Sequence, residues 1–182
     1  HLCMAKGMKR KKKPSTKRLN SNSKLLAINA LYKAGQFSEA LPLARQVISK
    51  NTTNFDLLTI AGLLELQVGS PENAIKWLSL VHGHFFENPD ISDNLGSAYC
   101  AAGRYEDGRE QYHKLLNTHP ERPQTWCNLG SAQSNLGDTK KARKAFRSAL
   151  ELDPSLIAAL TNLALLEGQS GNQRLALKLY YK

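Results

Sequence analysis

Apolar residues in this chain recur at helical spacing in short blocks, and each block is followed by a polar break that contains glycine. The pattern is clearest between Pro123 and Pro154. Trp126, Leu129 and Gly130 mark one helical face, Gly137 and Asp138 interrupt it, and Ala142, Phe146, Ala149 and Leu150 resume a second. Asp153 and Pro154 close the second block, because proline lacks the N–H that a helix interior uses and biases its predecessor toward extended backbone. The spacing predicts a helix, a tight turn, a second helix and a stop.

The same unit appears five times. Gly35, Gly69, Gly103, Gly137 and Gly171 fall 34 residues apart without a slip. A glycine between two helical blocks is the residue that ends a helix in a left-handed conformation without a Cβ penalty. The small place on the second helix reads Ala40, Ala74, Gly108, Ala142 and Ala176, and the place four residues on reads Ala44, Leu78, Tyr112, Phe146 and Tyr180. Small residues let helices approach and large ones fill the space behind them.

With these residues in hand, the chain resembles the tetratricopeptide repeat (TPR) family, whose pattern is W-x2-L-G-x2-Y, then A-x3-F, then A and P, on a period of about 34 residues. The fourth unit carries Trp126, Leu129, Gly130, Ala142, Phe146, Ala149 and Pro154, with Gln133 where tyrosine is usual. The third carries Leu95, Gly96, Tyr99, Tyr112 and Pro120, with Gly108 in place of alanine. The second keeps Gly62, Gly69 and Ala74, the fifth keeps Leu163, Gly171, Ala176 and Tyr180, and the first diverges most. The array is similar to the repeat regions of protein O-GlcNAc transferases and of bacterial TPR proteins. The resemblance implies an all-α fold, a right-handed α-solenoid of about five 34-residue helix-turn-helix repeats. Residues 21–182 would form the array, in units of about 21–54, 55–88, 89–122, 123–156 and a truncated 157–182, behind a disordered basic tail at 1–20.

Charge divides the chain. The formal net charge is +10, but residues 1 to 24 hold nine of the 25 Lys and Arg and no acid, so the remainder carries 16 basic against 15 acidic residues. The tail is basic and the array is nearly neutral. Lysine-rich and poor in apolar residues, the tail buries too little to offset the entropy of ordering. Its segment KRKKKP, with Lys9, Arg10, Lys11, Lys12 and Lys13, resembles a nuclear-localisation signal and would also make weak contact with nucleic acid or another acidic surface through counterion release.

Several function classes are disfavoured. Cys3, Cys100 and Cys127 form no C-x-x-C pair and suggest no disulfide framework. The uncharged run Ser155 to Leu166 is well short of the roughly 18 apolar residues of a membrane helix, and LLAINALY falls in register with later first helices rather than reading as a secretory signal. These features predict an intracellular protein, in the cytoplasm or, if eukaryotic, also the nucleus. No phosphate loop, activated nucleophile or paired-carboxylate site is present, so no enzyme activity, catalytic residue or cofactor is expected within these residues. His82 and His84 lie two apart, point to different helix faces and have no nearby third ligand, so no metal site is expected.

Local expectations follow from the same reading. Ser70, Pro71 and Glu72 read as a helix start with a serine cap. In VHGHFFEN, Phe86 replaces the usual proline and a glycine interrupts, which predicts a kinked or loosened helix end. The basic residues Lys140, Lys141, Arg143, Lys144 and Arg147 are expected on the outer, solvated face, with Arg147 and Glu151 paired at i,i+4.

In proteins that this chain resembles, the first helix of each unit lines a concave groove that holds an extended peptide or a partner helix. The second, fifth, sixth, ninth and twelfth places of each unit are then the candidate contacts. The sixth reads Asn94, Asn128 and Asn162, a ladder similar to the one that grips substrate backbones in protein O-GlcNAc transferases. A carboxamide offers a donor and an acceptor together, so it pairs with a peptide group without selecting a side chain. Asp93, Ser97, Cys127, Ser131 and Thr161 are the neighbouring groove candidates. Leu26 and Ile60 hold the sixth place in the first two units, and the second, fifth and sixth places of units two to five carry no lysine or arginine for the carboxylate clamp of chaperone-binding relatives. The reading is an interaction scaffold that binds a polypeptide. The alternative is the substrate-recruiting front of a larger glycosyltransferase or sulfotransferase. Leu175, Leu177, Leu179 and Tyr180 in a last unit that stops at Lys182, with no polar capping helix behind them, leave self-association through that end as a further expectation.

Overall fold

The computed structural model describes residues 21–49 and 54–180, the side chains of Ser21, Asn22 and Tyr180 excepted. Lys9, Arg10, Lys11, Lys12 and Lys13 lie outside the described residues, as does the rest of the basic tail. Among the described residues ten helices follow one another: α1 Ser21–Lys33, α2 Phe37–Ile48, α3 Phe55–Gln67, α4 Pro71–His84, α5 Pro89–Ala101, α6 Tyr105–Thr118, α7 Pro123–Asn135, α8 Thr139–Leu152, α9 Ile157–Gln169 and α10 Gln173–Tyr180. No strand occurs among the described residues. The fold is a helical solenoid of repeats.

One turn is used five times. Gly35, Gly69, Gly103, Gly137 and Gly171 have φ between 73° and 84°. At Gly103 the glycine N–H donates to the Cys100 carbonyl at 3.0 Å and the Arg104 N–H to the Tyr99 carbonyl at 2.9 Å, and the equivalent pairs recur at the other four. This double bond pattern satisfies the last carbonyls of the first helix and reverses the chain in two residues.

Inside each repeat, one small and one large residue interlock. A Cβ on Gly130 would lie 2.7 Å from the Phe146 ring, one on Gly96 2.5 Å from Tyr112, and one on Gly62 2.7 Å from Leu78. Backbone approach on the first helix therefore makes room for bulk on the second. In the first repeat the volumes are exchanged, with Ile28 and Ala44 both fully buried in one cluster.

Between repeats, the second helix packs on the next first helix, so α2 meets α3, α4 meets α5, α6 meets α7 and α8 meets α9. Two of these seams carry ion pairs. Arg45 on α2 donates to both oxygens of Glu65 on α3, at 2.9 and 2.7 Å. Arg143 on α8 does the same to Glu167 on α9, at 2.5 and 3.2 Å. Arg143 thus turns away from the outer surface where the sequence places it. Arg147 and Glu151 form no ion pair among the described residues, which also departs from expectation. Attraction to the interior acid is stronger than to a solvated neighbour, because the buried site screens it less.

Helix starts differ from expectation in one place. Ser70 makes no side-chain cap bond, whereas Asn54, Asn88 and Asp138 accept from first-turn N–H groups of α3, α5 and α8. The glycine of VHGHFFEN does not interrupt the helix. Helix α4 continues through Gly83 to His84, giving 14 residues like α6 and α8, and Phe55 packs on His84 and Phe85 at 4.6 and 5.2 Å.

Candidate peptide-binding groove

First helices touch their counterparts in the next repeat, α1 with α3, α3 with α5, α5 with α7 and α7 with α9, whereas no two second helices touch among the described residues. Closer spacing on one side curves the stack toward that side. The inner wall is therefore built from first helices.

The three ladder residues stand at equivalent places but differ in bonding. Asn94 is half-buried and makes no side-chain hydrogen bond among the described residues. Asn128 donates from Nδ2 to Asp93 Oδ1 at 3.4 Å, while its Oδ1 accepts from Gln124 Nε2 at 3.0 Å. Asn162 donates from Nδ2 to Ser131 Oγ at 3.2 Å and to Cys127 Sγ at 3.8 Å, leaving its Oδ1 without a partner among the described residues. The carboxamides therefore also link neighbouring repeats. The Gln124–Asn128 bond is exposed and the others are part-buried, and each is of modest net strength, about 1 kcal/mol.

Asp93 anchors the central stretch. Its Oδ1 also accepts from Thr125 Oγ at 3.2 Å, while Arg122 answers the neighbouring Asp90 at 2.7 Å. Burial pushes the Asp93 carboxyl above its ordinary range, opposed by the hydrogen bonds from Asn128 and Thr125. Ser97 and the Tyr112 hydroxyl lie 3.1 Å apart, and the Ser131 hydroxyl donates to the Cys127 carbonyl. Thr161 is exposed and Cys127 is buried, so Cys127 does not line the groove. Cys100 and Cys127 pack into different clusters rather than against each other.

A cleft of about 170 Å³ opens between α5 and α7, bringing together Ser97, Asn128 and Ser131 with Tyr105, Tyr112 and Asn135. Tyr105, Tyr112 and Asn135 are missed by the place-counting argument. Asn135 stands one helical turn beyond Ser131, donating to its carbonyl at 2.9 Å, and is the thirteenth place of its unit, one past the last place counted.

A second cleft, about 690 Å³, lies on the opposite side where α4 and α6 splay apart. His82 faces it, with Nε2 3.1 Å from Ser92 Oγ and 3.2 Å from Gln111 Nε2. Burial, with the Lys114 charge, keeps this imidazole's pKa low. His82 and His84 diverge, the latter stacking toward Phe55. Among the described residues no three His, Cys, Asp or Glu side chains are grouped to hold a metal ion, and no helix is long and apolar enough to cross a membrane.

Two family models, each described as Tetratricopeptide repeat, match residues 89–155 and residues 25–81, together more than half of the chain. No curated protein matches in sequence. Among solved structures, TTC0263, a thermophilic TPR protein of Thermus thermophilus, has a TM-score of 0.74 at 20% identity, covering 89% of each chain. A crystal structure of MamA has a TM-score of 0.71 at 19% identity, covering 85% of this chain and 90% of that one. The MamA AMB-1 structure has a TM-score of 0.71 at 23% identity, over 87% and 94%. At such identities the likeness is one of fold alone.

Proposed function

From the premise that this chain belongs to the tetratricopeptide repeat family, we propose that it is an interaction scaffold whose inner groove binds an extended polypeptide. The observation that carries the reading is the row of Asn94, Asn128 and Asn162 on consecutive inner helices, flanked by Ser97 and Ser131. These groups are neutral and bidentate in character, so they suit a peptide backbone better than a charged small molecule. Affinity would come from main-chain pairing, with the α5–α7 cleft accepting one small side chain. Partner specificity would lie in the flanks, where exposed Leu26 and Leu165 add apolar contact at opposite ends of the groove.

Peptides selected from a random display library on the wild-type chain test this reading. Their affinity is expected to fall at least tenfold when Asn94→Ala, Asn128→Ala and Asn162→Ala are combined, with helicity by circular dichroism unchanged. Unchanged affinity, or crosslinking of the selected peptides to the α4–α6 cleft, overturns it.

A further inference from the structure

Where the second helix of one repeat meets both helices of the next, three places recur at intervals of 34 residues. They hold Ile48, Leu58 and Trp77 at the first junction, Leu116, Trp126 and Ala145 at the third, and Leu150, Leu160 and Leu179 at the fourth, all apolar. At the second junction they hold His82, Ser92 and Gln111. These three polar side chains bond to one another through His82 Nε2, and all three line the α4–α6 cleft of about 690 Å³. Ser92, though polar, is buried.

The third junction shows what the second lacks. Trp126 packs there against the cluster of Tyr112, Leu116 and Ala145 and against that of Phe146 and Ala149. Its Nε1 donates to the Pro120 carbonyl at 2.8 Å. One repeat earlier, Ser92 stands in place of the indole and Phe86 in place of Pro120, in loops that match residue for residue, 85–88 against 119–122. The Phe86 carbonyl takes no hydrogen bond among the described residues. Room for a ring and an unused acceptor thus occur together, where the third junction has a ring and its donor.

Charge at the rim favours neither sign. Lys114 pairs with Glu110, Glu87 stands on the same rim, and burial keeps the His82 pKa low. A neutral ring suits such a site better than an ion. The cleft volume falls within the range of about 300–1,000 Å³ usual for small-molecule sites.

We propose that the α4–α6 cleft binds a small, neutral, bicyclic heteroaromatic molecule of the indole type, its ring lying over Ser92 and its ring N–H donating to the Phe86 carbonyl. Leu115 supplies apolar contact from the cleft wall. Hydrogen bonding among His82, Ser92 and Gln111 lowers the cost of covering them. The site is separate from the inner groove and does not depend on it.

Titration of the full chain with indole, followed through its amide resonances, tests the proposal. Saturable shifts are expected at His82, Ser92 and Gln111, and none at Asn128, Ser131 or Asn162. Benzofuran, which has the same shape and no N–H, should bind at least fivefold more weakly. His82→Leu, Ser92→Trp and Gln111→Ala combined copy the third junction and should lower indole affinity at least tenfold, with helicity by circular dichroism kept. Ser92→Leu alone, a smaller change to the residue type of Leu58 and Leu160, should lower it in the same direction. The inference is overturned if no saturable shift appears at the three polar residues, if benzofuran binds as well as indole, or if both filled variants bind indole as the wild type does. Binding at this cleft of a tryptophan-containing peptide but not of indole overturns it too, since the ring would then belong to a polypeptide.

Discussion

Arg143 and Glu167 close the seam between the fourth and fifth repeats with two charge-assisted hydrogen bonds, although Glu167 is 1% exposed and Arg143 about a quarter exposed. Asn172 Nδ2 adds a third bond to Glu167 at 2.6 Å. The hydrogen bond from Arg143 holds the Glu167 carboxyl below its ordinary range, against the opposing effect of burial.

That depression has a definite sign. A carboxyl whose folded pKa lies below its unfolded value of about 4.5 contributes stability above pH 4.5, which is lost as pH falls through the folded value. Wild-type stability, followed by urea unfolding, is expected to decline more steeply than that of Glu167→Gln as pH drops below 4.5. At neutral pH, Arg143→Met should cost about 3 kcal/mol, since it leaves an unpaired acid in the seam. Parallel pH profiles would show that the pair is not what stabilises the seam.

The third seam, α6 against α7, lacks such a pair among the described residues. Gln133 occupies the place of Glu65 and Glu167 in its own repeat, and its buried Oε1 has no partner among the described residues. Arg109 stands on α6 where Arg143 stands on α8. Gln133→Glu is expected to draw in Arg109 and raise stability at pH 7 by about 1 kcal/mol, the net of a charged hydrogen bond and its desolvation. The gain should vanish when Arg109→Ala is added. A loss in the single variant would mean that Arg109 does not reach.

The interlock of Gly130 with Phe146 predicts coupled substitutions. Gly130→Ala drives a methyl into the ring and should cost about 1–3 kcal/mol, despite alanine's better helix propensity. Phe146→Ala should cost about 3–5 kcal/mol. Together they should cost less than their sum, because the cavity of one receives the methyl of the other. Additive costs by chemical denaturation would separate the two residues.

Leu129 is buried beside Tyr112, Ala132 and Ala145. Leu129→Ala is expected to cost roughly 2–5 kcal/mol through the cavity it leaves. Hydrogen exchange should rise in α6 and α8 as well as α7, because a repeat is stabilised by its neighbours. Exchange confined to α7 would contradict that coupling.

Periodicity made the fold legible. A 34-residue spacing of glycines required five identical turns, and the backbone bonds at Gly35 through Gly171 are those of one turn type. The first-helix places were countable for the same reason, and counting alone puts Asn94, Asn128, Asn162, Ser97 and Ser131 on α5, α7 and α9. Cys127 was misplaced, because a helical wheel gives direction but not the depth to which the neighbouring helix covers it. Arg143 was misplaced since its partner lies 24 residues away on another helix. Helix α4 kept its length through Gly83 because packing of Phe55 on His84 and Phe85 outweighs the local cost of one glycine.

Sequence alone settled what repeats: helix, left-handed glycine, helix, each encoded within a few residues of itself by propensity and sterics. Tertiary structure decided what meets across the seams. The inward turn of Arg143 and the unequal bonding of three equivalent asparagines both depend on distances between residues far apart in the chain. Local chemistry carries no record of those distances; only the packed helices set them.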